Sequence, residues 1–237
     1  MERKKSPVVL PLCLGGVFLL FFLVLIVLLK TVDVAAIGPA GTSVGLSQIN
    51  GSFHEWIPFH EVWYKITKVL GVLALALAAL VAIWSLVQWI RRKSLRKVDA
   101  TLLALDILYV ATGILYLLFE LVVVNYRPVL LEGQTFPAAS FPSSHTLLAC
   151  VIFGSAFWLI LAYLRKTWQV LAAWGAAGVL LVLTVIGRML SGVHWLSDIW
   201  GGLFLGAVLV CFFQFVLIKL EEKQKKTQTD PAKQENE

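Results

Sequence analysis

The chain has 237 residues, 59% of them hydrophobic and 14% charged, with a mean hydropathy of +0.84. Soluble domains run about 45–50% apolar and about a quarter charged, so the composition excludes an ordinary soluble protein. The formal charge of +6 raises nucleic acid as a partner, but the loops that carry it argue against that. Cys13, Cys150 and Cys211 all sit in apolar runs and form neither a disulfide framework nor a CxxC metal site.

Roughly 20 apolar residues cross about 30 Å of hydrocarbon, and six stretches meet that measure. The first, Val8–Leu29, follows a basic Met1–Lys5 start. Its apolar core is longer than the roughly 7–15 residues of a signal peptide, so an uncleaved span is expected. Next comes a loop from about Thr31 to Lys65, with Trp56, Trp63 and Tyr64 suited to the headgroup region. Its His54-Glu55 and His60-Glu61 pairs match no familiar metal spacing and are expected to belong to a substrate-shaping or merely interfacial loop. Ile66–Ile90 and Val98–Val124 follow. Asp106 in the latter is expected to pair with a basic residue near the inner face. His145–Leu164, Trp168–Ile186 and Leu196–Ile218 complete the set, and Gly202 and Gly206 in the last form a small-xxx-small packing pattern. Residues 219–237 are rich in Lys, Glu and Gln and read as a disordered tail.

Lys and Arg set the orientation. With the N-terminus inside, every one of the 20 except Lys30, Lys65, Lys68, Arg127 and Arg188 falls on an inner segment. The expected architecture is an all-α bundle of six transmembrane helices over residues 1–218, both termini cytoplasmic. The basic excess is then a topology signal, and nucleic acid is not a partner. Membrane lipids are.

This frame gathers polar residues at one face. Arg127-Pro128 lies past the outer end of the third span, and Pro142-Ser143-Ser144-His145 opens the fourth. Arg188 closes the fifth, while His194 and Asp198 open the sixth. Phosphoryl transfer needs positioning and positive charge. Each arginine offers a planar fork to two oxygens, and Ser143 and Ser144 sit at a helix N-terminus that favours an anion. His194 and Asp198 are one helical turn apart. The carboxylate can accept from one ring nitrogen and leave the other free to attack phosphorus. His145 is placed to protonate the leaving oxygen.

These blocks resemble the signature of the type 2 phosphatidic acid phosphatase superfamily: Lys, six residues, Arg-Pro; Pro-Ser-Gly-His; Ser-Arg, five residues, His, three residues, Asp. The resemblance covers about Glu120 to Asp198, the catalytic region. It implies that His194 forms a phosphohistidine, that Asp198 orients it and that His145 protonates the leaving group. Arg127, Arg188, Ser143 and Ser144 would hold the phosphate, and no metal or other cofactor is implied. The implied activity is hydrolysis of a lipid phosphate or diphosphate at the outer face of the plasma membrane. Its substrate would be undecaprenyl diphosphate, phosphatidylglycerophosphate or phosphatidic acid, with the first expected. A lipid phosphotransferase using the same histidine and a non-catalytic lipid-phosphate binder or transporter are the alternatives. Vanadium haloperoxidases share the motif chemistry but are soluble, which six spans argue against.

Three positions depart from the signature. Ser144 stands for glycine, Gly187 for serine, and Glu120 for the lysine. Two helical turns would place Glu120 on one stripe with Arg127, where a carboxylate repels phosphate. It either pairs with a cation, is protonated, or contacts another substrate group.

Overall fold

The computed structural model describes residues 9–229 and is helical throughout, with no strand among them. Seven helices run α1 Val9–Thr31, α2 Ser47–Trp56, α3 Glu61–Arg92, α4 Ala100–Leu121, α5 Ser144–Tyr163, α6 Thr167–Leu190 and α7 Leu196–Thr229. All but α2 are long and apolar enough to cross a membrane. The expected six-span bundle is therefore present. Arg3, Lys4, Lys5, Val8 and Lys233, which entered the span and orientation readings, lie outside the described residues.

The core sits where α4, α5 and α7 meet. Leu102, Leu105 and Leu108 of α4 pack with Leu147, Val151 and Phe153 of α5 and Leu205, Leu209 and Phe213 of α7. The opposite faces carry exposed Leu20, Val69, Leu117 and Val179, apolar outward because hydrocarbon is their solvent. Lipid tails give apolar side chains no reason to cluster, so close van der Waals packing holds such helices together. Gly202 and Gly206 supply it, as their spacing predicts. A Cβ at Gly206 would stand 2.4 Å from the Cys150 Cβ, and one at Gly202 2.9 Å from the Ser143 carbonyl.

Three expectations change. The loop between the first two spans contains a helix, α2, held by Asn50, whose Nδ2 donates to the Gly45 carbonyl at 2.8 Å and to Ser197 Oγ at 3.1 Å. The last helix does not end with the expected span at Ile218: α7 continues to Thr229, with a Lys219–Glu222 pair at 3.1 Å and a Gln224 bond to the Val98 carbonyl at 3.2 Å. Polar composition signalled disorder, but spaced opposite charges and one tertiary bond sustain a helix as well. Residues 230–237 lie outside the described part. Asp106 has no basic partner among the described residues; its Oδ1 is buried without a hydrogen bond. Asp99 takes that role, bonded to Arg92 at 2.8 Å, Gln88 at 2.8 Å and Tyr163 at 2.5 Å.

The helices alternate in direction. The C-termini of α1, α4 and α6 and the N-termini of α3, α5 and α7 share one end of the bundle. Arg91, Arg92, Lys93, Lys97, Arg165 and Lys166 occupy the other.

Candidate active site

The catalytic and phosphate-binding candidates from the sequence all lie at that shared end, brought there by three connections. The first joins α4 to α5. Its strands of chain are tied by an antiparallel bridge between Tyr126 and Ala139, with Arg127 N–H on the Ala138 carbonyl at 3.0 Å and Ser140 N–H on the Asn125 carbonyl at 2.9 Å. This bridge presents Arg127 and Ser140 together. The second is the Ser191–Trp195 turn between α6 and α7, in which Gly192 adopts a φ of +64° and a Cβ would strike the Pro58 carbonyl at 2.5 Å. The third is the α2–α3 segment, whose His60 N–H meets the Ser191 carbonyl at 3.1 Å.

His194 stands at the centre and is fully buried. Its Nδ1 is 3.6 Å from Asp198 Oδ2, beyond a direct hydrogen bond. Ser140 fills the gap. Its Oγ is 3.0 Å from His194 Nδ1 and donates to Asp198 Oδ2 at 2.5 Å. The hydroxyl thus spends its proton on the carboxylate and accepts from Nδ1–H, which leaves the Nε2 lone pair as the reactive site. Asp198 also accepts from Trp195 N–H at 2.9 Å and Asn125 Nδ2 at 3.3 Å, so it is held from three sides. The expected orienting pair is thus a three-member chain.

Arg188 lies on the Nε2 side, with its Nη2 2.9 Å from that nitrogen and its Nη1 donating to Thr67 Oγ1 at 3.2 Å. The Nε atoms of Arg188 and Arg127 are both buried without partners. Two guanidinium donors left unsatisfied at one place are suited to a multiply charged acceptor. Burial pushes the His194 pKa well below its ordinary value, and the charges of Arg188, Arg127 and His145 push the same way against the Ser140 bond. The ring is neutral near pH 7 and can act as a nucleophile.

The cleft above His194 is lined by Arg127, Ser140, Ser144, Glu120 and Tyr116, and encloses about 20 Å³. That is near the space of a single water. Ser144 faces this cleft, but Ser143 does not. Ser143 is fully buried, its N–H donates to the Asp198 carbonyl at 2.9 Å, and its hydroxyl accepts from Thr146 at 3.0 Å. Of the two serines expected to grip phosphate, Ser144 is the one that lines the cleft, while Ser143 locks α5 to α7.

Glu120 lines the cleft as an exposed side chain. The stripe shared with Arg127 does not exist, because α4 ends at Leu121 and Arg127 belongs to the bridged loop. No ion pair joins the two among the described residues. His145 is half-buried at the start of α5, with its Nδ1 3.5 Å from Ser144 Oγ. Its ring occupies space that only glycine leaves on α3, since a Cβ at Gly71 would come within 2.8 Å of Cδ2 and 2.9 Å of Nε2.

Sequence reasoning missed Ser140, Asn125, Thr67 and Gly71. The first two flank recognised blocks and could have been suspected from that position. The last two lie on a remote helix, and nothing in their local pattern marks them. His54, considered with Glu55 as a loop pair, packs edge-on to Trp195 at 5.5 Å and supports the α6–α7 turn.

The PAP2 superfamily model matches residues 121–219. Over 91 residues the chain is 38% identical to phosphatidylglycerophosphatase B of Bacillus subtilis (strain 168), a stretch that makes up 37% of this chain and 41% of that protein. The match thus spans about two fifths of the curated relative's length. The fold is also that of the crystal structure of the first transmembrane PAP2-type phosphatidylglycerolphosphate phosphatase from Bacillus subtilis. That likeness has a TM-score of 0.61 at 20% identity and covers 89% of this chain and 96% of the other.

Proposed function

We propose that the chain is a PAP2-type integral membrane phosphatase that hydrolyses a lipid phosphate through a phosphohistidine on His194, a reading supported by the family model's match to residues 121–219. The observation that carries this reading is the arrangement around one imidazole. Its Nδ1 is committed through Ser140 to Asp198, its Nε2 meets Arg188, and Arg127 lines the same cleft, each arginine with a spare donor.

Lipid phosphate enters the cleft and takes the donors of Arg127 and Arg188 and the hydroxyl of Ser144. His194 Nε2 attacks phosphorus; an N–P bond forms as the bond to the lipid oxygen breaks. The imidazolium that results is stabilised by the Ser140–Asp198 chain. His145 gives its proton to the departing oxygen, then takes one from the water that cleaves the N–P bond, and inorganic phosphate leaves. The residues supply all of these roles without a metal ion.

The names of both relatives favour phosphatidylglycerophosphate over undecaprenyl diphosphate and phosphatidic acid. The excess of Lys and Arg at the far end of the bundle supports a site outside the cytoplasm with both termini inside, and the reading takes the membrane to be the plasma membrane.

A panel of the three lipids assayed for phosphate release tests the reading, wild type beside His194→Ala, in EDTA. The wild type should turn over at least one lipid. The variant should lose at least about a thousandfold, because the covalent route is gone. Near-normal turnover by the variant would reject the mechanism. Transfer to an added acceptor lipid in place of phosphate release would identify a phosphotransferase.

A further inference from the structure

Glu120 brings a carboxylate to a cleft fitted for phosphate, and no cation pairs with it among the described residues. Helix α3, which packs against the site, carries an exposed cation that the signature residues do not include. Tyr64, Thr67, Lys68 and Gly71 on α3 follow the i, i+3, i+4, i+7 spacing of one helical face. Three of them touch the site directly. Thr67 accepts from Arg188, Gly71 makes room for the His145 ring, and the Tyr64 ring lies 5.7 Å from the Arg188 Cζ.

Lys68 shares that face. Its Nζ is 5.4 Å from the centroid of the same Tyr64 ring, and its charge acts on His145 together with those of Arg188 and Arg127. The Tyr64 ring thus carries Arg188 and Lys68 together, beside the His145 ring that Gly71 admits. The buried carboxylate of the site, Asp198, is already engaged by Ser140, Asn125 and Trp195. Such a cluster is stable with an anion at its centre.

We propose that Lys68 is a phosphate-binding residue, supplying from α3 the third cation of the site where α4 offers Glu120 instead. Arg127, Arg188 and Lys68 then approach the phosphate from the α4–α5 loop, α6 and α3. Glu120 is left to face the lipid side of the headgroup. Turnover rests on the phosphatase reading, but phosphate binding does not.

The test measures affinity for inorganic phosphate by titration of the full chain in detergent, with phosphate release from lipid as a parallel arm. Lys68→Ala should weaken phosphate binding by about tenfold or more, the effect of one charge-assisted contact. Lys68→Arg should keep most of the affinity. Lys68→Ala combined with Glu120→Lys should regain part of it, because the cation returns from the other wall. A lysine near a helix end can also serve only as an interfacial anchor. In that case Lys68→Ala would lower thermal stability yet leave phosphate affinity within about twofold of the wild type, which would overturn the proposal. Wild-type protein that binds no phosphate would overturn it too. Wild-type protein that binds phosphate through Lys68 but releases none from lipid would sink the phosphatase reading and leave this inference standing.

Discussion

In the proposed mechanism the hydroxyl of Ser140 sets which nitrogen of His194 reacts. Asp198 is a helical turn from His194, the spacing that suggested a direct bond, yet 3.6 Å separates their atoms and Ser140 bridges them. Ser140→Ala should therefore lower kcat by about tenfold to a hundredfold, the cost of a lost buried hydrogen bond to a charged group. KM should change less, since phosphate grips elsewhere; a pre-steady-state comparison of the two constants would check this. The same burial sets the pH response. With its pKa depressed, His194 stays neutral as pH falls through about 6.5, the ordinary value. In the unfolded chain the ring would take up a proton at that point, so the folded state loses this contribution only as pH drops below 6.5 toward the native value. The rate limb assigned to His194 should appear below 6.5 in a kcat/KM profile. A limb at or above 6.5 that vanished with His194 would contradict the assignment.

At the scale of elements, α3 was the least legible helix. Its apolar stretch announced a span, but the turn that begins at Glu61 is polar, and the window for a span opened at Ile66. The side chains that matter, Tyr64, Thr67, Lys68 and Gly71, are a stripe whose partners come from three distant segments, so no local pattern could point to them. The α5–α7 contact was legible from Gly202 and Gly206 because close approach of two helices requires small residues wherever it occurs. Gly71→Ala makes a clean test of the α3 wall. The added methyl would push the His145 ring, 2.8 Å away, without touching His194. Turnover should drop by about tenfold or more while the thermal midpoint stays near that of the wild type, as expected when a proton donor is misplaced. Gly206→Leu should instead lower the thermal midpoint itself, since its Cβ meets the Cys150 Cβ at 2.4 Å.

At the scale of the whole molecule, the six spans were legible because hydrocarbon imposes one rule on every crossing segment, about 20 apolar residues with satisfied backbone. The connections were not, since water and headgroups impose no such rule. The helix α2, the bridge at Tyr126 and Ala139, and the continuation of α7 past Lys219 all lie there. Charge asymmetry makes a prediction about the whole. A cysteine placed at exposed Gln134, in the loop that carries Arg127, should react with a membrane-impermeant thiol reagent added to intact cells. Protection there, with labelling only after lysis, would reverse the sidedness.

Chemical capture of the intermediate tests the mechanism most directly. Wild-type protein mixed with lipid phosphate and quenched in alkali, where a phosphorus–nitrogen bond survives, should carry one phosphoryl group on the peptide containing His194. Label on another residue, or turnover with no label trapped at any time, would contradict the account.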